Sequence, residues 1–355
     1  MPYDLTGSNP TVAGLLYPDD LLDGLAEREG RTYRPEPLGL PAARKAVAAH
    51  YGRSGVDVDP DRIVLAASTS EAYGHVFKLL CDPGDAVLVP LPSYPLLPHL
   101  VTLEGLRTVP YRLELDEAWQ PDPRVLAEAQ ARALVAVHPN NPTGSFLTAE
   151  TVQALVGACA RSGAALVVDE VFLDYPLGDG AHAATLAGEA RALTFCLGGL
   201  SKLVGLPQLK LSWIVIGGPA AEVRRALDGL AFIADQYLSV NTPVQLALPQ
   251  LLDRGAAVRS EILARCRRNL DALIRSTAAT ESVTLHPPQG GWCAVLRVPA
   301  VHDDEALALA LLEQDGVAVH PGYVFDFPAD GFLVISLLTE PAIFDTGVAR
   351  ILARF

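Results

Sequence analysis

Residues 133–170 read ALVAVHPNNPTGSFLTAETVQALVGACARSGAALVVDE. The stretch opens on an apolar, β-branched run, Ala133 to His138, and closes on a second, Ala165 to Asp169. Between them, Thr148 to Arg161 spaces its apolar residues for one face of a helix. The unit therefore predicts strand, helix, strand, the crossover unit of an α/β sheet. Each run gives way to polar residues at its carboxyl end, where ligands of open α/β sheets collect.

The same alternation extends in both directions. Arg62 to Ala66, Ala86 to Pro90, Thr108 to Leu113, Leu193 to Cys196 and Ser212 to Ile216 are further strand candidates, making seven. Glu71 to Cys81 is helix-like and meets the stop signal Cys81-Asp82-Pro83-Gly84-Asp85. The expectation is a large, mostly parallel seven-stranded sheet covered by helices. After about residue 255 a long charged helix pattern, Ala256 to Arg275, gives way to strand and turn signals from Val283 to Val298. We therefore expect a large domain over residues 41–254 and a smaller α/β domain built from both chain ends, 1–40 and 255–355. A chain of 355 residues exceeds the usual size of one compact core.

Composition narrows the function classes. Half of the residues are apolar and the formal net charge is −14, which disfavours a nucleic-acid partner. No apolar run reaches the roughly 18 residues that a membrane span needs, and the acidic start from Met1 to Asp20 lacks a secretory signal's basic region. A cytoplasmic protein without a membrane partner is expected. Cys81, Cys159, Cys196, Cys266 and Cys293 are scattered, with no paired spacing and no histidine at ligand distance, so neither a disulfide framework nor a metal site is expected. Lysines number only four against 23 arginines: Lys45, Lys78, Lys202 and Lys210. Lysine chemistry thus has few candidates.

Five places at strand ends could carry chemistry, and each also has a plain structural reading. Ser68-Thr69-Ser70-Glu71 would seat a phosphate at a helix N-terminus, or simply form a capping box. His138 to Gly144 is rich in turn residues. Asp169-Glu170 puts a carboxylate at the rim of a buried strand, where it needs a cationic or donor partner, a role a helix end or an arginine could fill. Gly198-Gly199-Leu200-Ser201-Lys202 brings a lysine beside an apolar run, and Lys210 follows; single lysines of this kind are commonly solvated.

Taken in order, these places resemble the aminotransferase class I and II family of fold-type I enzymes dependent on pyridoxal 5'-phosphate (PLP). The resemblance spans nearly the whole chain, from Leu5-Thr6-Gly7-Ser8-Asn9-Pro10, Tyr33 and Gly39, through Asp82-Pro83-Gly84-Asp85, Leu91-Pro92-Ser93-Tyr94-Pro95, Asn141-Pro142-Thr143-Gly144, Asp169-Glu170-Val171 and Ser201-Lys202, to Gly290-Gly291-Trp292. It implies that Lys202 carries the cofactor as a Schiff base and shuttles a proton. Asp169 would pair with the pyridine nitrogen, keeping it protonated so that the ring accepts electrons. Asn141 would donate to the phenolic oxygen, Tyr94 would stack on the ring, and Thr69, Ser70 and Ser201 would bind the phosphate. Trp292 falls among the substrate contacts. Tyr33 and Asn241-Thr242 resemble groups that reach a neighbouring subunit's cofactor, implying a homodimer.

Three positions depart from the family pattern. Lys210 stands where an arginine usually clamps the phosphate, which keeps the sign but loses the fork. Phe172 replaces the tyrosine three residues after the aspartate, removing a second donor to the phenolic oxygen. Val334, in Phe332-Leu333-Val334-Ile335-Ser336-Leu337, falls where the family's arginine binds the substrate α-carboxylate, and residues 298–349 contain no Arg or Lys. The expected activity is transamination between an amino donor and a carbonyl acceptor, on a substrate not held by that arginine. A PLP-dependent decarboxylase, lyase or racemase, or a PLP-binding protein without turnover, would use the same residues; a plain α/β scaffold would need none of them.

Overall fold

The structure, a computed structural model, describes residues 3–115, 118–122, 130–178 and 184–355. Its centre is a sheet whose strands lie in the order Ile63–Ala66, Ser212–Gly217, Thr194–Gly199, Ala165–Asp169, Ala133–Val137, Ala86–Leu91, Arg107–Glu114 and Gln120–Pro121. Neighbours are parallel except at Ser212–Gly217, antiparallel to both of its partners, and at Gln120–Pro121. All seven expected strands are present. The eighth, Gln120–Pro121, is a two-residue edge piece, too short to leave a periodic pattern and containing a proline tolerated only at an edge.

The central strands read as continuous apolar runs because helices cover both faces of the sheet. Strand alternation sorts their side chains into two cores. Ala165 and Val167 join Val87, Val135, Phe195 and Ile214 under the helices Thr69–Leu80, Leu96–Leu103 and Ala220–Tyr237. Leu166 and Val168 face the opposite core with Leu134, Cys196 and Trp213. Each fully buried side chain of this size contributes about 1.5–3 kcal/mol.

Helix ends follow local chemistry. The Ser68 hydroxyl accepts the Glu71 N–H at 3.1 Å and starts Thr69–Leu80. The Thr148 hydroxyl does the same for Ala149–Ser162, which Gly163 ends at φ +75. The charged pattern expected from Ala256 belongs to a longer helix, Thr242–Thr277, because the Asn241 side chain caps it by accepting the Val244 N–H at 3.0 Å. The position between residues 254 and 255 therefore lies inside a helix.

A second, antiparallel sheet orders Thr284–His286, Cys293–Arg297, Phe332–Ser336 and His320–Pro321. Its register sets Val334 between Val295 and His320, and Cys293 opposite Ser336, so these five side chains share one face. The N-terminal strand Tyr3–Asp4 pairs with Val317–Ala318. The Ser336 hydroxyl donates to the Gly7 carbonyl at 2.6 Å, laying the N-terminal segment over this sheet.

Candidate active site

Strand direction gathers the expected residues along one edge. Ile63–Ala66, Ala86–Leu91, Ala133–Val137, Ala165–Asp169 and Thr194–Gly199 all run the same way, so Ser68–Ser70, Tyr94, Asn141, Asp169 and Ser201–Lys202 follow their carboxyl ends. Ser212–Gly217 runs oppositely, and Lys210 precedes it, so this lysine reaches the same edge from the other direction. Lys210 is exposed there, with left-handed backbone at φ +54.

At the phosphate end, the helix Thr69–Leu80 points its N-terminus at the edge. The Ser68 cap satisfies one N–H and leaves those of Thr69 and Ser70 without intrahelical partners, in the positive field of the helix end. An anion of phosphate size fits this chemistry. The cap forms, and the N–H groups of Thr69 and Ser70 stay available at the helix end.

Asp169 is next after Ala165 and Val167 on the strand face covered by that same helix. Its carboxylate accepts the Tyr73 hydroxyl at 3.1 Å and the Val171 N–H at 3.1 Å. Burial pushes its pKa up to about 6, against the pull of those two donors and of Lys202. Glu170 points the other way, its carboxylate held by the Thr185 hydroxyl at 2.5 Å and the Leu186 N–H at 2.7 Å, and burial lifts it to about 7.

The Lys202 amine lies 5.0 Å from the Trp292 ring centre and 5.4 Å from that of Phe172. Burial between these rings lowers its pKa, opposed by Cys293 and Asp169. Tyr175, fully buried, donates its hydroxyl to the Lys202 carbonyl at 2.6 Å and meets Trp292 edge-on at 5.2 Å. It pins the lysine's backbone, and its hydroxyl is thereby committed. The donor lost at Phe172 is not restored by it.

Trp292 arrives from the other sheet through a tight docking. The Gly144 carbonyl accepts the N–H groups of Gln289 and Gly290, and Gly144 adopts φ +69 with Pro288 where a Cβ would stand, 2.3 Å away. Only glycine fits. The two adjacent asparagines divide their work: Asn140 is consumed internally, accepting from Thr143 and donating to the Pro92 carbonyl at 3.3 Å. Asn141 keeps a buried Oδ1 with no partner among the described residues, as do Ser93 Oγ and Trp292 Nε1. Tyr94, 49% exposed, presents a free ring.

A largely enclosed amine, a carboxylate tied by two donors at the strand rim, the unpartnered donors Ser93 Oγ and Trp292 Nε1, and open helix N–H groups suit PLP, which needs a carbonyl bonded, a ring nitrogen protonated, an oxygen held and a phosphate neutralised. Tyr33, Arg34 and Asn241–Thr242 line a cavity of about 370 Å³ that is not lined by Thr69, Tyr94, Asn141, Asp169 or Lys202. Val334 is buried, 1% exposed, within its sheet. Tyr73 and Tyr175 were not foreseen: their only sequence signal is an aromatic in an apolar pattern. Among the described residues no cluster of metal-ligating side chains occurs, no helix is long and apolar enough to cross a membrane, and all five cysteines are free.

The chain is similar to known proteins over nearly its whole length. A family model described as aminotransferase class I and II matches residues 13–351. A glutamate-pyruvate aminotransferase, AlaA, of Haemophilus influenzae is 29% identical over 93% of this chain and 84% of its own length. An alanine aminotransferase of Mycobacterium tuberculosis is 30% identical over 94% of this chain and 80% of its own. The crystal structure of an aminotransferase from Escherichia coli superposes with a TM-score of 0.88 at 26% identity, covering 99% of this chain and 90% of that one. The chain belongs to the aminotransferase class I and II family and is a PLP-dependent aminotransferase of fold type I.

Proposed function

We propose that Lys202 is the lysine that bonds the cofactor and moves the substrate proton, and that the substrate is not gripped by the arginine that usually binds an α-carboxylate. When bound, PLP supplies the carbonyl that exchanges for an amino group and a ring that accepts electrons. The chain's residues do the rest. Thr69, Ser70, Ser201 and Lys210 bind the phosphate, Asp169 holds a proton on the ring nitrogen, Asn141 donates to the phenolic oxygen, and Tyr94 covers the ring. Trp292 and Phe172 keep water from Lys202, whose lowered pKa makes the free amine available as nucleophile and base. Tyr33 and Asn241–Thr242, in their open cavity, suit contact with a second copy, so the working unit is read as a cytoplasmic homodimer.

The observation that carries the substrate reading is the face around Val334. Its cross-strand neighbours are Val295 and His320. Burial lowers the His320 pKa, although the Thr6 backbone and Asp4 pull it upward, so the imidazole is neutral near pH 7. Arg297, on the same face, stacks on Phe332 and donates to the Asp330 carbonyl at 2.6 Å. Arg34 lines the separate cavity. Among the described residues, neither His320, Arg297 nor Arg34 offers a free cation beside Val334, and losing one partner of a carboxylate–arginine pair costs about 2–5 kcal/mol.

An amine, an amino sugar or a carrier-bound acyl group, none carrying a free α-carboxylate, suits the loss of this arginine. Single-turnover reactions with matched amines and amino acids should favour the amines. Val334→Arg should raise kcat/KM for amino acids by roughly 30-fold or more, the lower end of that energy range. Tight use of alanine or glutamate by the parent, with no gain in the arginine variant, contradicts the reading.

A further inference from the structure

We infer that Tyr73 is a positioning residue for the reaction, its phenol fixing the Asp169 carboxylate and keeping it ionised for the cofactor's ring nitrogen. The inference rests on the proposed role of Asp169. Its basis is a register between one helix and one strand. Tyr73 lies four residues after Thr69, one turn into the helix whose first turn forms the phosphate seat, and its ring packs on Phe77 at 5.7 Å. That turn points the phenol at the strand face on which Asp169 follows Ala165 and Val167, and its hydroxyl meets Asp169 Oδ2 at 3.1 Å. The other oxygen, Oδ1, accepts the Val171 N–H. Both oxygens are therefore tied, and the carboxylate cannot swing away.

No other neighbour can take over this work. Lys202 interacts with Asp169 through charge, and Glu170 faces the opposite core. Tyr111, the phenol beside Tyr73, spends its hydroxyl on the Val135 carbonyl at 2.7 Å. Burial and the nearby carboxylate hold the Tyr73 phenol protonated throughout the working range, so it remains a donor while Asp169 is charged. One rigid helix thus serves both ends of the cofactor. Its N–H groups would hold the phosphate, and its first aromatic steadies the carboxylate that would serve the ring nitrogen.

Tyr73→Phe removes one oxygen and keeps the packing. Infrared titration of cofactor-free protein, with Asp169→Asn as the blank, should show the Asp169 midpoint rising by about one pH unit or more, a tenfold change in proton affinity. With a ¹⁵N-labelled cofactor, the ring-nitrogen signal of Tyr73→Phe should lose its protonated position at lower pH than the parent's. Tyr111→Phe should leave both readouts in place. If Tyr73→Phe does not fold, 3-fluorotyrosine placed at position 73, a stronger donor of almost the same size, should move the midpoint downward. Superimposable titrations, or an equal shift in Tyr111→Phe, overturn the inference. The cofactor-free titration reads Tyr73 even if the chain's reaction proves to be another, so the two readings fail separately.

Discussion

Lys202→Ala is expected to lower turnover by about 10,000-fold or more and to remove the borohydride-trappable bond to the cofactor, because in the proposed assignment the residue supplies both a nucleophile and a proton carrier. The other three lysines cannot replace it. Lys45 and Lys210 are exposed, and Lys78 is paired with Glu104. Only Lys202 has its amine walled in by aromatic rings, where burial lowers its pKa. Folding of the cofactor-free variant should not suffer, since a buried ammonium is costly to keep. Reduction of the loaded parent followed by peptide mapping checks the assignment. A label on Lys78 or Lys210 would refute it.

Asp169→Asn has two expected effects of opposite sign. Turnover should fall by roughly three orders of magnitude, because in the proposed assignment the ring nitrogen would lose the anion that keeps it protonated. The cofactor-free protein should nevertheless gain stability near neutral pH. Burial raises the folded carboxyl from an ordinary 3.8 to about 6. Below about pH 4 it is protonated both folded and unfolded, and it costs nothing; above about pH 6 it is ionised in both, and the cost of roughly 3 kcal/mol is complete. The stability lost by the parent as pH rises through this window should be absent in the variant. Thermal unfolding of both proteins at pH 4 and pH 7.5 measures it. A gain at pH 4 equal to that at pH 7.5 would show that Asp169 is not a buried charge.

The features legible in the sequence are those whose cause is local. Ala165 to Val168 reads as a buried strand because every residue is apolar and two of them are β-branched, and Ser68 reads as a helix start because its hydroxyl meets an N–H three residues on. Motif residues at strand ends fell on one edge because strand direction follows from the helical crossovers between them. What escaped depends on distant partners. The Tyr73 phenol finds Asp169 across 96 residues, and Tyr175 finds the Lys202 carbonyl across 27. In the sequence both are aromatics in apolar stretches, and only the register of helix on strand gives their hydroxyls work. The long helix began earlier than its charged pattern suggested, because Thr242 to Leu252 carries no charged residue and holds a proline, Pro249, inside the helix.

The central claim is that this chain moves nitrogen through Lys202 between a donor and a carbonyl acceptor. The most direct test mixes stoichiometric PLP-loaded protein with ¹⁵N-labelled amines and amino acids and follows the label, the carbonyl product and the cofactor. The account predicts one carbonyl product for each cofactor recovered in its amine form, with the label in the cofactor, faster for an amine than for its matched amino acid, and absent in Lys202→Ala. Carbon dioxide release, elimination or racemisation of the donor with the label left on it would contradict the account.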